Sequence, residues 1–163
     1  MFQIPEGCKP VPLLTPAADA AGRTSTVYPS LKNCKRAWIV AHIEQGNAAT
    51  IALTPVQASA VAGTGTKVLT NAVPIWANQD CVASDTLVRQ TDAANFTTSA
   101  AVKEKQVIFQ IDPAACMDID NATTPFDCIG LTTGASNAAN ITEATLWCEM
   151  KYASATPPSC VTN

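Results

Sequence analysis

Ala144-Thr145-Leu146-Trp147-Cys148-Glu149-Met150-Lys151-Tyr152 changes character at every step: Leu146, Cys148, Met150 and Tyr152 fall on one side, Trp147, Glu149 and Lys151 on the other. A period of two marks a strand whose successive side chains point to opposite faces of a sheet, one of them toward a core. Ala37-Trp38-Ile39-Val40-Ala41-His42-Ile43-Glu44 and Thr50-Ile51-Ala52-Leu53-Thr54 carry the same β-branched and aromatic signal, and Gln45-Gly46-Asn47 between them predicts a hairpin turn. Further strands are expected at 67–69, 72–77, 86–89, 106–112 and 128–132. Many short strands separated by turn residues predict a mainly β fold, a β-sandwich or jelly-roll-like barrel. Thr54-Pro55, an N-cap followed by proline, allows either a short helix over 55–62 stopped by Gly63 or a loop.

Working outward, the strand patterns occupy residues 34–152. Residues 1–33 carry Pro5, Pro10, Pro12, Pro16 and Pro29 among Phe2, Ile4, Val11, Leu13 and Leu14, and show no period of useful length. Pro-spaced apolar residues favour extended backbone that cannot bond to itself, so this stretch reads as an arm lying on its own domain or on a neighbouring subunit. Phe2, Ile4, Pro5, Val11, Leu13 and Leu14 are its candidate contact residues. Residues 153–163, with Pro157-Pro158, read as a second extended tail. The prolines also break any secretory leader in the first thirty residues, so the expectation is a chain made in the cytoplasm and used as made.

The chain has 163 residues, which suits one domain with extended ends. Only 14% of residues are charged, against about 25% in an average soluble protein. A weakly charged surface rich in small side chains suits a protein packed against neighbours. The net charge of -3 with scattered basic residues leaves no footprint for phosphate backbones, so no nucleic-acid partner is expected. No apolar run is long enough to span a bilayer, and no membrane partner is expected either.

The chemistry of sites is thinly represented. His42 is the only histidine; it falls in a strand pattern on the face of Trp38 and Val40, where a packed or interface role is expected, and no Gly-x-Ser-x-Gly elbow accompanies it. Asp118-Ile119-Asp120-Asn121 resembles the start of a calcium loop, but the glycine and distal glutamate are missing, so an Asp-rich hairpin loop is the reading. Trp38, Trp76 and Trp147 are expected in the core, with stacking on sugar rings as the alternative. No catalytic residue, cofactor or metal is assigned, and the chain is not expected to be an enzyme.

Seven cysteines remain, none in a Cys-x-x-Cys pair that would seat a zinc ion. Local pairing would join Cys8 to Cys34, Cys116 to Cys128 and Cys148 to Cys160, leaving Cys81 over; buried reduced thiols acting as small hydrophobes are the alternative.

Several phrases resemble a group of small virion structural proteins of tailed bacteriophages and prophages: Ala41-His42-Ile43-Glu44-Gln45-Gly46-Asn47-Ala48-Ala49-Thr50, Val61-Ala62-Gly63-Thr64-Gly65, Val73-Pro74-Ile75-Trp76-Ala77-Asn78, Ser84-Asp85-Thr86-Leu87-Val88-Arg89-Gln90-Thr91, Phe109-Gln110-Ile111-Asp112-Pro113 and the run from Thr133 to Thr142. The resemblance implies a capsid decoration or cement protein, bound to the major capsid protein and to copies of itself on the outer shell as a homo-oligomer. A tail- or spike-associated host- or carbohydrate-binding β-domain, or a head–tail or tail-tube part, is the alternative.

Overall fold

The strand signal around Leu146 continues in both directions: one strand spans Asn140–Met150, with every second residue buried. In chain order the strands are β1 (Cys8–Ala18), β2 (Arg23–Thr24), β3 (Cys34–Gln45), β4 (Ala52–Ala58), β5 (Lys67–Val68), β6 (Ile75–Asn78), β7 (Val88–Arg89), β8 (Phe96–Thr97), β9 (Glu104–Ile111), β10 (Cys128–Thr133) and β11 (Asn140–Met150). A single helical turn, α1 (Pro113–Cys116), follows β9. This computed structural model describes Ile4 and residues 6–162.

Two antiparallel sheets make a β-sandwich-like fold. The first runs β1-β11-β3-β9-β6-β7; the second runs β2-β10-β4-β5, with β8 also on β4. Ile39, Ile43, Ile75, Phe109, Ile111 and Leu146 from the first sheet meet Leu53, Ile129 and Leu131 from the second, and Ile51 just before β4, in one apolar cluster. Burying each such side chain contributes about 1.5–3 kcal/mol, so this layer is the main stabilising element.

Of the two places expected for the extended proline-rich segment, it lies on its own domain, as a strand of the sheet. Residues 8–18 form β1, paired with β11 at the sheet edge. Val11, Leu13 and Leu14 are buried in the molecule's own core and cannot serve as capsid contacts. Ile4 is 64% exposed, while Phe2 and Pro5 lie outside the described residues. Alternate prolines fit an edge strand: Pro10 and Pro12 lack N–H groups and remove two ladder donors from the side away from β11, which disfavours the addition of a further strand. The tail also returns to the domain, since Ser30 N donates to Cys160 O at 2.7 Å and Lys9 Nζ to Pro158 O at 2.8 Å. Tyr152, expected on the buried face, lies beyond the end of β11 and is 85% exposed.

Two local expectations fail for tertiary reasons. Residues 55–58 belong to β4 and not to a helix, because they pair with β10 from Val56–Gly130 to Ala58–Cys128. Pro55 is tolerated there: opposite it, Leu131 O accepts from Ser25 N on the far side of β10. Pro55 therefore turns its nitrogen into the gap between β8, which covers Ala52 and Leu53, and β5, which covers Val56 and Gln57. The predicted hairpin over Gln45-Gly46-Asn47 is instead a crossing between sheets, since β3 and β4 belong to different ones. Buried Gln45 anchors that crossing: its Oε1 accepts from Lys105 Nζ at 2.8 Å and Thr98 Oγ1 at 2.9 Å.

A tight contact locks β10. Tyr28 packs between Gly63 and Gly130, and a Cβ on Gly130 would collide with Tyr28 Cε1 and Cδ1, with the ring's other edge, Cε2 and Cδ2, against Gly63. The ring cannot retreat, so Gly130→Ala is expected to destabilise the protein by about 1–3 kcal/mol, read as a lowered urea midpoint with unchanged slope.

Candidate functional site

The inner face of the six-stranded sheet is fully occupied by the core, which makes its outer face the distinctive surface. Outward residues of β3 are Arg36, Trp38, Val40, His42 and Glu44, alternating with buried Ala37, Ile39, Ala41 and Ile43. Register then assembles rows across the strands. Pro10, Trp147, Trp38 and Gln110 form one; Pro12, Thr145, Val40, Ile108, Trp76 and Arg89 form the next. All three tryptophans thus share one face, half-buried and still open to solvent, where the core was expected. Trp38 and Trp147 are directly opposed across β3 and β11. The Arg89 guanidinium lies 4.9 Å from the Trp76 ring centre, a cation–π contact that covers one edge of the apolar stripe.

The third row is polar. Gln106 Nε2 donates to His42 Nε2 at 2.6 Å, and His42 Nδ1 lies 3.2 Å from Glu143 Oε1. His42 lies on the expected face beside Trp38 and Val40, but is exposed and held by hydrogen bonds. Both ring nitrogens are engaged by side chains of the two neighbouring strands, Gln106 on β9 and Glu143 on β11. Cys81 lines the same cleft of about 350 Å³. Burial raises its thiol pKa, and the Glu104 and Asp80 carboxylates raise it further, the opposite of what activates a cysteine.

Asp118 binds within the chain. Its carboxylate pairs with Lys67 and accepts from Thr70 Oγ1 at 2.8 Å; the Lys67 contact first, then Thr70, holds its pKa below the usual range. Asn121 Oδ1 accepts from the Thr123 and Thr124 amides, so that oxygen is spent on the loop's own backbone.

The cysteines are all free thiols, and their grouping differs from local pairing. Cys148 and Cys160 are brought together as expected, but Cys34 joins them, all three sulfurs lying within 4.8 Å of one another. Cys8 cannot reach this group: it registers opposite Glu149 on the outward face, whereas Cys34 turns inward opposite Met150 past a bulge. Cys116 and Cys128 pack in separate apolar clusters, so no bond joins them. Burial pushes the Cys116 thiol up to about 11; burial and the adjacent Asp127 carboxylate push Cys128 to about 12. Within the trio, thiol donation from Cys148 and Cys34 lowers the Cys160 pKa, and Cys148 is raised in return.

Local spacing concealed this trio, because its members come from β3, β11 and the tail. The tryptophan face was partly visible, since Trp38 and Trp147 each occupy the polar side of an alternating strand. No protein-family model matches the chain, and no curated protein is significantly similar to it.

Proposed function

We propose that this chain is a virion structural protein of a tailed bacteriophage that decorates the outside of the capsid, docking through the outward face of its six-stranded sheet. The observation that carries the reading is the grouping of Trp38, Trp76 and Trp147 with Val40 and Ile108 on one solvent-facing surface. Interface centres are enriched in tryptophan and depleted of charge, and a few such anchors supply most of the binding energy. The resemblance to phage virion proteins supplies the setting, with the major capsid protein as the partner and symmetry multiplying each contact. The contact role expected of the N-terminal segment passes to this face, because Val11, Leu13 and Leu14 are core residues.

A carbohydrate-binding domain is the second reading, favoured by the same three indoles. Two of them are opposed in mid-sheet, on β3 and β11, and not in the loops at the ends of the strands. Cryo-electron microscopy of the native virion tests both readings. Density on the outer capsid lattice, with the tryptophan face against a capsomer, is expected; density confined to the tail or a vertex would overturn the decoration role.

A further inference from the structure

Cys34 at the start of β3, Cys148 within β11 and Cys160 in the tail converge from three separate stretches. All three are buried, at 3%, 0% and 3% exposure, and each sulfur is within 4.8 Å of the other two. A disulfide would use two of these atoms and leave the third idle. A trigonal ion with metal–sulfur bonds of about 2.3 Å holds its sulfurs roughly 4 Å apart, within the observed limit.

We propose that Cys34, Cys148 and Cys160 form a three-sulfur site for one soft monovalent cation, Cu(I). Thiolates select Cu(I), zinc and iron–sulfur clusters, and the ligand count separates these. Structural zinc is almost always four-coordinate, whereas among the described residues no fourth histidine, cysteine or carboxylate joins the group. Cu(I) is satisfied by three sulfurs.

The charge balance also fits. Binding breaks three S–H bonds, forms three S–Cu bonds and releases three protons; no electron is transferred and no oxidant is needed. The product carries two net negative charges, and two lysines flank it. Lys9 registers opposite Cys148, and its Nζ donates to Pro158 O at 2.8 Å, two residues before Cys160. Lys151 Nζ donates to Lys32 O at 2.6 Å, two residues before Cys34. A cleft of about 420 Å³ lined by Leu31, Cys34, Asp127 and Lys151 reaches one of the three ligands, Cys34. Because Cys160 belongs to the tail, the ion would clip residues 151–162 to both β3 and β11.

The test is anaerobic titration of the reduced full-length protein with Cu(I) against a chromophoric Cu(I) chelator, with Zn(II) in a parallel arm. One Cu(I) per chain is expected, with a raised melting temperature. Cys160→Ser, a tail position outside both sheets, is expected to weaken binding at least 100-fold and abolish the thermal shift, as is Cys34→Ser; Cys81→Ser should change neither. Absence of stoichiometric Cu(I) binding, equal loss with Cys81→Ser, or tighter binding of Zn(II) would overturn the assignment. So would a Cys148–Cys160 disulfide found by mass mapping in the protein as purified.

Discussion

Trp38→Glu combined with Trp147→Glu is expected to abolish association with capsids lacking this protein while leaving the sandwich folded. The two indoles are opposed across β3 and β11 on the outward face, so glutamates there meet solvent in the free protein and do not enter the core. Losing the cross-strand aromatic pair and setting two like charges opposite each other each cost about 0.2–1 kcal/mol of stability, a modest drop in melting temperature. At an interface centre the same change removes two anchors worth about 2 kcal/mol each or more and buries two charges against the partner. A loss of roughly 4 kcal/mol is a weakening of about 1000-fold. Co-sedimentation reads this directly, with Val82→Glu, at a position 77% exposed and outside the strands, as the control that should still bind. Undiminished sedimentation of the double variant would remove the sheet face from the interface.

Asp19→Ala is expected to cost about 3–5 kcal/mol, a loss large enough to unfold a marginal domain. Asp19 is fully buried at the turn where the chain leaves β1 for β2. Its carboxylate accepts from Thr133 Oγ1 at 2.9 Å and from Thr142 Oγ1, one residue in each sheet. Arg23 lies 3.9 Å from the same carboxylate, and its Nη1 donates to Thr142 O at 2.7 Å and Ala17 O at 3.0 Å. Alanine would leave two buried hydroxyls without their acceptor and take away the carboxylate charge facing Arg23, and unmet buried donors carry their full desolvation penalty. Asp19→Asn retains one acceptor oxygen and should recover part of the loss. Urea denaturation reads both variants; a cost below about 1 kcal/mol for alanine would show that the corner is held by packing alone.

Asp19 was not legible in the sequence, and the reason is general to this molecule. Its partners Thr133 and Thr142 sit more than a hundred residues away, and no local pattern distinguishes it from the surface aspartates. The buried Lys105 was hidden in the same way. It sits at an inward position of β9, and burial lowers its pKa; one acceptor, Ser99, lies in the loop just before β9, but the other, Gln45, comes from the end of β3, 60 residues away. Proline misled for a different reason. Pro10, Pro12 and Pro55 each remove an amide donor, which argues against a strand when neighbours are unknown. Each nitrogen falls where the sheet needs no donor, at an edge or in a gap between short partners.

What the sequence determined by itself is the class of fold and the faces of its longest strands. Alternation is a local property: in β3, β9 and β11 the side-chain period of two separates core from surface whatever the strands later pair with. Only the tertiary structure decided which strands became neighbours. That choice turned a presumed arm into an edge strand, sent β3 and β4 to opposite sheets, aligned three tryptophans on one surface and gathered Cys34, Cys148 and Cys160. Register and bulges set these juxtapositions, and a shift of one residue would reverse every side chain, so they follow from the burial of the whole core and not from any single segment.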